Sequence, residues 1–272
     1  MNPFFLESRS GTLFAVYISP SDSEPKGALV HVPAFAEEMN KSRHMVMLQA
    51  NALSKLGYGV LILDLFGTGD SSGDFAEATW DFWLADLAEG VAWLKRQGIE
   101  RVGLWGLRTG ILLAMDYAKR NPDTISRMLA WQPVFNGDMF VTQFLRLRIA
   151  AAIMNNLAPQ EKTGDLKRLL QQGQALEVAG YGLNPELMNP LMKLKFDPSA
   201  LVSLNSFDVF EVVAAQNPQS SFVYLQAVDN LTNQGIPTTL TTVTGEQFWA
   251  SQEISTAPAL LTVTLEKVRL WH

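Results

Sequence analysis

Hydrophobic positions in the first half of the chain follow two alternating rhythms. Leu13 to Ser19 and Ala28 to Val32 are short runs of aliphatic and β-branched residues, and Pro20 with the polar stretch Ser21 to Lys26 forms a turn between them. After Pro33 and a loop comes Ser42 to Leu56, where Met45, Leu48, Ala52 and Leu56 recur at helical spacing and Gly57 supplies the stop. Val60 to Leu63 is an unbroken apolar run, the pattern of a strand covered on both faces. The cycle then repeats: a helix over Trp80 to Arg96 closed by Gly98, a strand over Val102 to Trp105, a helix over Ile111 to Lys119 and a strand over Ser126 to Trp131. Strict alternation of this kind predicts a mostly parallel central sheet with helices on both faces, wound by right-handed crossovers.

The rhythm changes near Pro133. From Gly137 to about Phe196 no convincing strand appears, and helices are predicted over Met139 to Asn155, Glu161 to Gln172 and Asn184 to Leu194. The first of these carries Val141, Phe144, Leu145, Ile149 and Ile153 as one apolar stripe. Strand character resumes at Ser221 to Val228 and Thr238 to Val243, and a helix over Pro258 to Val268 closes the pattern. The expected organisation is an α/β core from residues 1–135 and 206–272, with residues 136–205 as a helical cap.

Composition narrows the chemistry. The 272 residues are 47% hydrophobic and 18% charged, so a large core can form. A net charge of −6 and only scattered Lys/Arg pairs argue against a nucleic-acid partner. With no cysteine, disulfides, thiolate catalysis and thiolate-bound zinc are excluded. The three histidines, His31, His44 and His272, share no metal-binding spacing, so no metal and no cofactor is expected. Phe4, Phe5 and Leu6 are too short a patch for a signal peptide and no run reaches the length of a membrane span, so the expectation is a cytoplasmic protein.

Two glycine-rich turns follow predicted strands, at the carboxyl ends where open α/β sheets bind ligands. One runs from Asp64 through Gly67, Gly69 and Gly73; the other is Gly106-Leu107-Arg108-Thr109-Gly110. The second has the G-x-S-x-G spacing of a nucleophile elbow, a sharp turn that lifts its central side chain above the sheet. With His31-Val-Pro-Ala-Phe35 as an oxyanion loop, the chain from His31 to about Ala118 resembles an α/β-hydrolase core. More narrowly, the stretches Pro33 to Asn40, Gly67 to Asp74, Gly106 to Arg108 and Trp131-Gln-Pro133 are similar to the second type of hydrolases associated with exosortase (PEP-CTERM) and exopolysaccharide systems. The resemblance implies an esterase or thioesterase with a Ser-His-acid triad.

The chain departs from that pattern where it matters most. Arg108 stands at the elbow centre, and a guanidinium has no lone pair to attack a carbonyl. Gly245-Glu-Gln247-Phe248 aligns with the stretch that carries the family's histidine, so Gln247 holds the place of the base, while Asp229 is the candidate for the acid. Thr109, beside the elbow centre, is expected to point its side chain away from the pocket.

Two roles for Arg108 remain open at this level. The backbone amides of Thr109 and of Ala34 or Phe35, together with a helix N-terminus, favour an anion, and Arg108 would sharpen that preference toward a carboxylate or acyl ligand. Alternatively, Arg108 is neutralised internally, with Glu37 and Glu38 the obvious partners and Asp229 the next. The functional expectation is a non-catalytic or highly atypical hydrolase that binds a small carboxylate or acyl ligand, and a protein partner in such a pathway. The competing reading is a true ester or thioester hydrolase whose water is activated by a carboxylate. His31 is expected to brace its loop, Asp64, Asp70 and Asp74 to cap their turn, and Trp80, Trp83, Trp93 and Trp105 to pack in the core. Gln143, Arg146 and Arg148 either line the pocket or face solvent.

Overall fold

Side-chain alternation along single strands decides the architecture. In β3 (Gly27–Val32), Ala28, Val30 and Val32 join the hydrophobic core on one side of the sheet while Leu29 joins a second core on the other. β5 (Val102–Leu107) divides the same way, with Val102 and Leu104 on the first side and Trp105 and Leu107 on the second. A strand buried on both faces needs helices on both, which an α/β chain provides. The computed structural model describes residues 1–21, 25–154, 161–214 and 219–271.

The remaining strands are β1 (Asn2–Ser8), β2 (Gly11–Ile18), β4 (Tyr58–Leu63), β6 (Arg127–Trp131), β9 (Ser206–Val213) and β10 (Thr238–Thr244). With β3 and β5 they form one sheet in the order β1-β2-β4-β3-β5-β6-β9-β10, in which β1 with β2 and β2 with β4 are antiparallel and every other pair is parallel. Helices α1 (Glu37–Ser54) and α8 (Pro258–Arg269) cover the face of Leu29 and Trp105. Helices α2 (Trp80–Arg96), α3 (Gly110–Arg120) and α7 (Phe222–Asn233) cover the other. From β3 the chain moves to β4 on one side and returns to β5 on the other. The loops after β3 and β5 therefore diverge at neighbouring carboxyl ends, the crevice position of open α/β sheets.

Three expectations are corrected. Ser221 to Val228, expected as a strand, lies at the start of α7, whose Tyr224, Ala227 and Leu231 are buried while Phe222, Val223 and Leu225 are exposed. The eighth strand is instead β9, a run that carries two buried carboxylates. Asp208 is neutralised by Lys267 Nζ at 3.2 Å and bonded by Thr239 and Trp271, and Glu211 accepts from the Ser221 N–H at 3.0 Å. These acidic residues interrupt the apolar signature that a buried strand normally shows. Finally, β7 (Leu176–Val178) and β8 (Tyr181–Leu183) form a small antiparallel hairpin in the region expected to be wholly helical.

Between β6 and β9 the chain makes a long excursion from the sheet. It includes α4 (Gly137–Met154), α5 (Thr163–Gln171) and α6 (Pro185–Lys193). Asn155, the expected end of the first cap helix, lies outside the described residues, as does His272. Val141 and Leu145 of the anticipated stripe are fully buried, whereas Ile153 is exposed. The excursion is closed at its base by an antiparallel bridge between Asn136 and Lys195, flanked by hydrogen bonds from Gly137 N to Leu194 O (3.0 Å) and from Phe196 N to Phe135 O (2.8 Å). Gly137 is required at this crossing, because a Cβ there would sit 1.8 Å from the Leu191 carbonyl oxygen. Among the described residues no helix is long and apolar enough to cross a membrane.

Candidate functional site

The turn between β5 and α3 places Arg108 at φ 55°, in the left-handed region that an L-residue enters at a cost. Packing holds it there. Gly106 and Gly110 flank the turn because Cβ atoms at those positions would lie 2.9 Å from Ile111 N and 2.2 Å from Val32 O. The Arg108 N–H donates to Trp131 O at 3.0 Å, and its carbonyl accepts from Val134 N at 3.0 Å and Ile111 N at 3.3 Å. The backbone is pinned on three sides, so the strain cannot relax. Replacing Arg108 by Gly should consequently leave the protein about 1 kcal/mol more stable than replacing it by Ala, measured by urea unfolding. Equal midpoints for the two variants would show that the turn is not strained.

The guanidinium meets Glu38, near the start of α1. Nε lies 3.2 and 3.3 Å from the two carboxylate oxygens and Nη2 lies 3.1 Å from Oε1. Both side chains are mostly shielded, at 18% and 23% exposed. Trp249 closes another side, its ring centroid 5.6 Å from Cζ, within cation–π range. Burial pushes the Glu38 carboxyl above its ordinary range, and the charge and hydrogen bonds of Arg108 pull it partly back. No acceptor among the described residues bonds Nη1 of Arg108.

Arg108 also lines a cleft of about 610 Å³ between α4 and α7, together with Gln132, Gln143, Lys195, Glu211 and Tyr224. Gln132 adopts φ 43° and accepts from Val212 N through Oε1 at 2.7 Å. The Tyr224 hydroxyl donates to Pro133 O at 2.9 Å, and its pKa is raised, chiefly by burial. Gln132, Glu211, Tyr224 and Trp249 were not singled out from sequence. Trp249 stands two residues beyond Gln247, and Gln132 lies within the Trp131-Gln-Pro133 stretch, so both were within reach of the motifs already noted.

The sequence candidates divide as follows. Arg108 and Glu38 come together. Glu37 instead accepts from the Tyr181 hydroxyl of the cap hairpin at 3.0 Å. Phe35 is buried against Phe75, Trp83, Phe140 and Phe144. Thr109 is buried and lines a small apolar space with Trp80 and Trp83, away from the cleft. The N–H groups of Ala34, Phe35 and Thr109 donate to no acceptor among the described residues. Gln247 is exposed in the loop after β10. Asp229 does not reach the site: it is exposed on α7, because the segment before it is helix rather than strand. No acidic residue occurs between Glu211 and Asp229.

The structural candidates resolve more simply. Asp64 pairs with Arg43 at 3.0 Å, Asp74 caps a short 3-10 turn with Glu77, and Arg148 pairs with Glu161 at 2.9 Å. Gln143 lines the cleft, and Arg146 is exposed. Among the described residues no group of three or more His, Asp or Glu gathers as a metal site.

The family model of serine aminopeptidase, S33, matches residues 23–192. The chain belongs to that family. Its fold is that of the α/β hydrolases, as solved structures confirm. Est1E from Butyrivibrio proteoclasticus with bound ferulic acid matches at TM-score 0.65 and 15% identity, over 98% of both chains. A thermostable carboxyl esterase from Bacillus coagulans in complex with glycerol matches at TM-score 0.62 and 13% identity, over 98% of this chain and 96% of that one. A thermostable monoacylglycerol lipase from Bacillus sp. (strain H-257) is 34% identical over 80 residues, 29% of this chain. The match spans 32% of that lipase's length. Esterase- and lipase-like proteins are thus among the relatives.

Proposed function

We propose that this family member is a non-catalytic or highly atypical hydrolase that binds a small carboxylate or acyl ligand in the cleft over Arg108. One observation carries the reading: a guanidinium stands at the turn between β5 and α3, bonded to Glu38 through Nε and Nη2, and Arg108 lines the cleft. A buried cation with one free edge selects an anion, and two N–H groups suit a carboxylate. In this reading Arg108 replaces a nucleophile, Gln247 replaces the base, and the acid role that sequence assigned to Asp229 is unfilled. The core is residues 1–135 and 206–272, and residues 136–205 form the cap that walls the ligand in. The motifs from Pro33 to Asn40, Gly67 to Asp74 and Gly106 to Arg108 support an exosortase- or exopolysaccharide-linked setting, with a partner protein there.

The hydrolytic alternative draws on the raised carboxyl of Glu38 as a base for water. It is the weaker reading, because both oxygens of that carboxylate are turned to Arg108.

The experiment has two arms. Short p-nitrophenyl esters should give no turnover and fluorophosphonate probes no labelling. A thermal-shift panel of fatty and hydroxy acids should contain a stabiliser whose effect disappears in Arg108→Leu and is absent for the corresponding amide. The melting temperature of ligand-free Arg108→Leu is the control, since the variant strands Glu38. Stoichiometric labelling of any residue would falsify the non-catalytic reading, and a panel with no Arg108-dependent stabiliser would end the carboxylate assignment.

A further inference from the structure

Strand β9 buries two carboxylates, and the chain treats them differently. Asp208 is neutralised by Lys267 at 3.2 Å. Glu211 is 4% exposed and receives only neutral donors, the Ser221 N–H at 3.0 Å and the Thr242 hydroxyl at 3.3 Å, both on Oε2. No Lys, Arg or His nitrogen among the described residues pairs with it. Its other oxygen, Oε1, has no hydrogen-bond donor there either, and unlike Nδ1 of His31 it keeps accessible surface. Glu211 lines the cleft, so that surface is open to a molecule bound in it. A buried carboxylate without a counter-charge is costly, and a cation is what would relieve it.

Glu211 shares the cleft with Arg108. β6 lies between β5 and β9, so the two backbones stand two strand spacings apart, roughly 10 Å. Glu211 falls on the same face as Phe207 and Val209, the one that α7 covers. Tyr224 of α7 stands near both charged groups, since its phenol feels the opposite charges of Arg108 and Glu211. Arg108 is engaged by Glu38, and Lys195, the other basic residue of the lining, is exposed and forms no ion pair among the described residues. Val134, Phe135 and Phe140 add apolar wall suited to a short run of methylenes.

We propose that the ligand of this cleft is a zwitterionic amino acid, with its carboxylate on Arg108 and its ammonium, a short chain away, on Glu211. The inference rests on the carboxylate site proposed above and adds the second anchor. An ammonium supplies both the donor that Oε1 lacks and the positive charge that Glu211 lacks. A hydroxyl would supply the donor alone, and a plain fatty acid neither.

The test is calorimetric titration of the full chain at neutral pH with γ-aminobutyrate and ε-aminocaproate, each against its plain acid, butyrate or caproate. ε-Hydroxycaproate and hexylamine complete the set. At least one amino acid should bind about tenfold more tightly than its plain acid, the worth of one charge-assisted hydrogen bond. It should also exceed the hydroxy acid and the amine, each of which lacks one of the two charges. In Glu211→Gln the advantage over the plain acid should vanish while the plain acid still binds. The comparisons among ligands in the parent protein decide the matter even where that variant does not fold. Plain acids that bind as tightly as both amino acids would overturn the zwitterion and leave the carboxylate site standing. A hydroxy acid or an amine equal to the amino acid, or an advantage that survives in Glu211→Gln, would overturn it as well. Failure of every acid to bind would remove the carboxylate site itself, and this inference with it.

Discussion

Arg108→Met should lower the unfolding free energy by about 2 kcal/mol at pH 8 and by clearly less at pH 5. The reason lies with the partner left behind. Burial already holds the Glu38 carboxyl above the ordinary carboxylate range, and Arg108 is the main influence pulling it back down. In the native protein, stability linked to Glu38 is therefore greatest below the ordinary carboxylate pKa, where the group is protonated in both states. It declines as pH rises through the raised folded value. Without Arg108 the folded pKa climbs further, so the penalty extends to higher pH and deepens there. At the lower pH a larger share of the variant's carboxyl is protonated, and the cost moves toward lost packing and hydrogen bonds. The figure is kept modest because the two side chains retain 18% and 23% exposure to screening water. Urea unfolding of the parent, Arg108→Met and Arg108→Met/Glu38→Gln at both pH values tests this. The double variant should regain most of the loss at pH 8. A deficit independent of pH, or no recovery in the double variant, would show that Glu38 does not depend on Arg108.

The second large effect concerns activity. Arg108→Ser alone should hydrolyse p-nitrophenyl acetate no faster than the parent, because a serine hydroxyl needs a base and Gln247 provides none. Arg108→Ser/Gln247→His should exceed the single variant by about 10², the lower range of a general-base contribution. It should remain some 10⁴ below a complete triad, since Asp229, the residue read as the acid, is exposed on α7. Initial rates, with fluorophosphonate labelling to locate the nucleophile, decide the matter. Turnover by the single variant would mean that a base already exists in the cleft, and Glu38, freed from its partner, would be the first group to test.

Much of the architecture was legible because backbone physics and side-chain pattern agreed. In the first half, aliphatic runs ending in glycine-rich turns alternate with helical periods, and the helix over Trp80 to Arg96 lies where the spacing puts it. Legibility failed where burial was achieved by unusual means. β9 hides two carboxylates, Asp208 and Glu211, that are satisfied only by residues distant in sequence, Lys267 and Thr242 among them. No local reading can foresee those partners. α7 opens with Phe222-Val-Tyr-Leu, a composition suited to a strand, and its helical period emerges only when Ala227 and Leu231 are added. That error put Asp229 in a loop after a strand, whereas it lies exposed within α7. The edge strand β1 was missed because its apolar patch, Phe4 to Leu6, is short, and only Leu6 of it is buried. At the site, the Arg108–Glu38 pair was one of the expected alternatives. Trp249 over the guanidinium was not, because cation–π contacts leave no spacing signature.

The bridge between Asn136 and Lys195 has a further consequence. Because departure and return of the excursion are stitched side by side, a change in the length of the segment between them need not alter the pairing of β6 with β9. Aromatic contacts help fasten that segment to the scaffold, with Phe140 and Phe144 against Phe35 and Tyr181 against Phe75. Phe35 is thus where the excursion and the core share one aromatic cluster, so a change on either side is felt on the other.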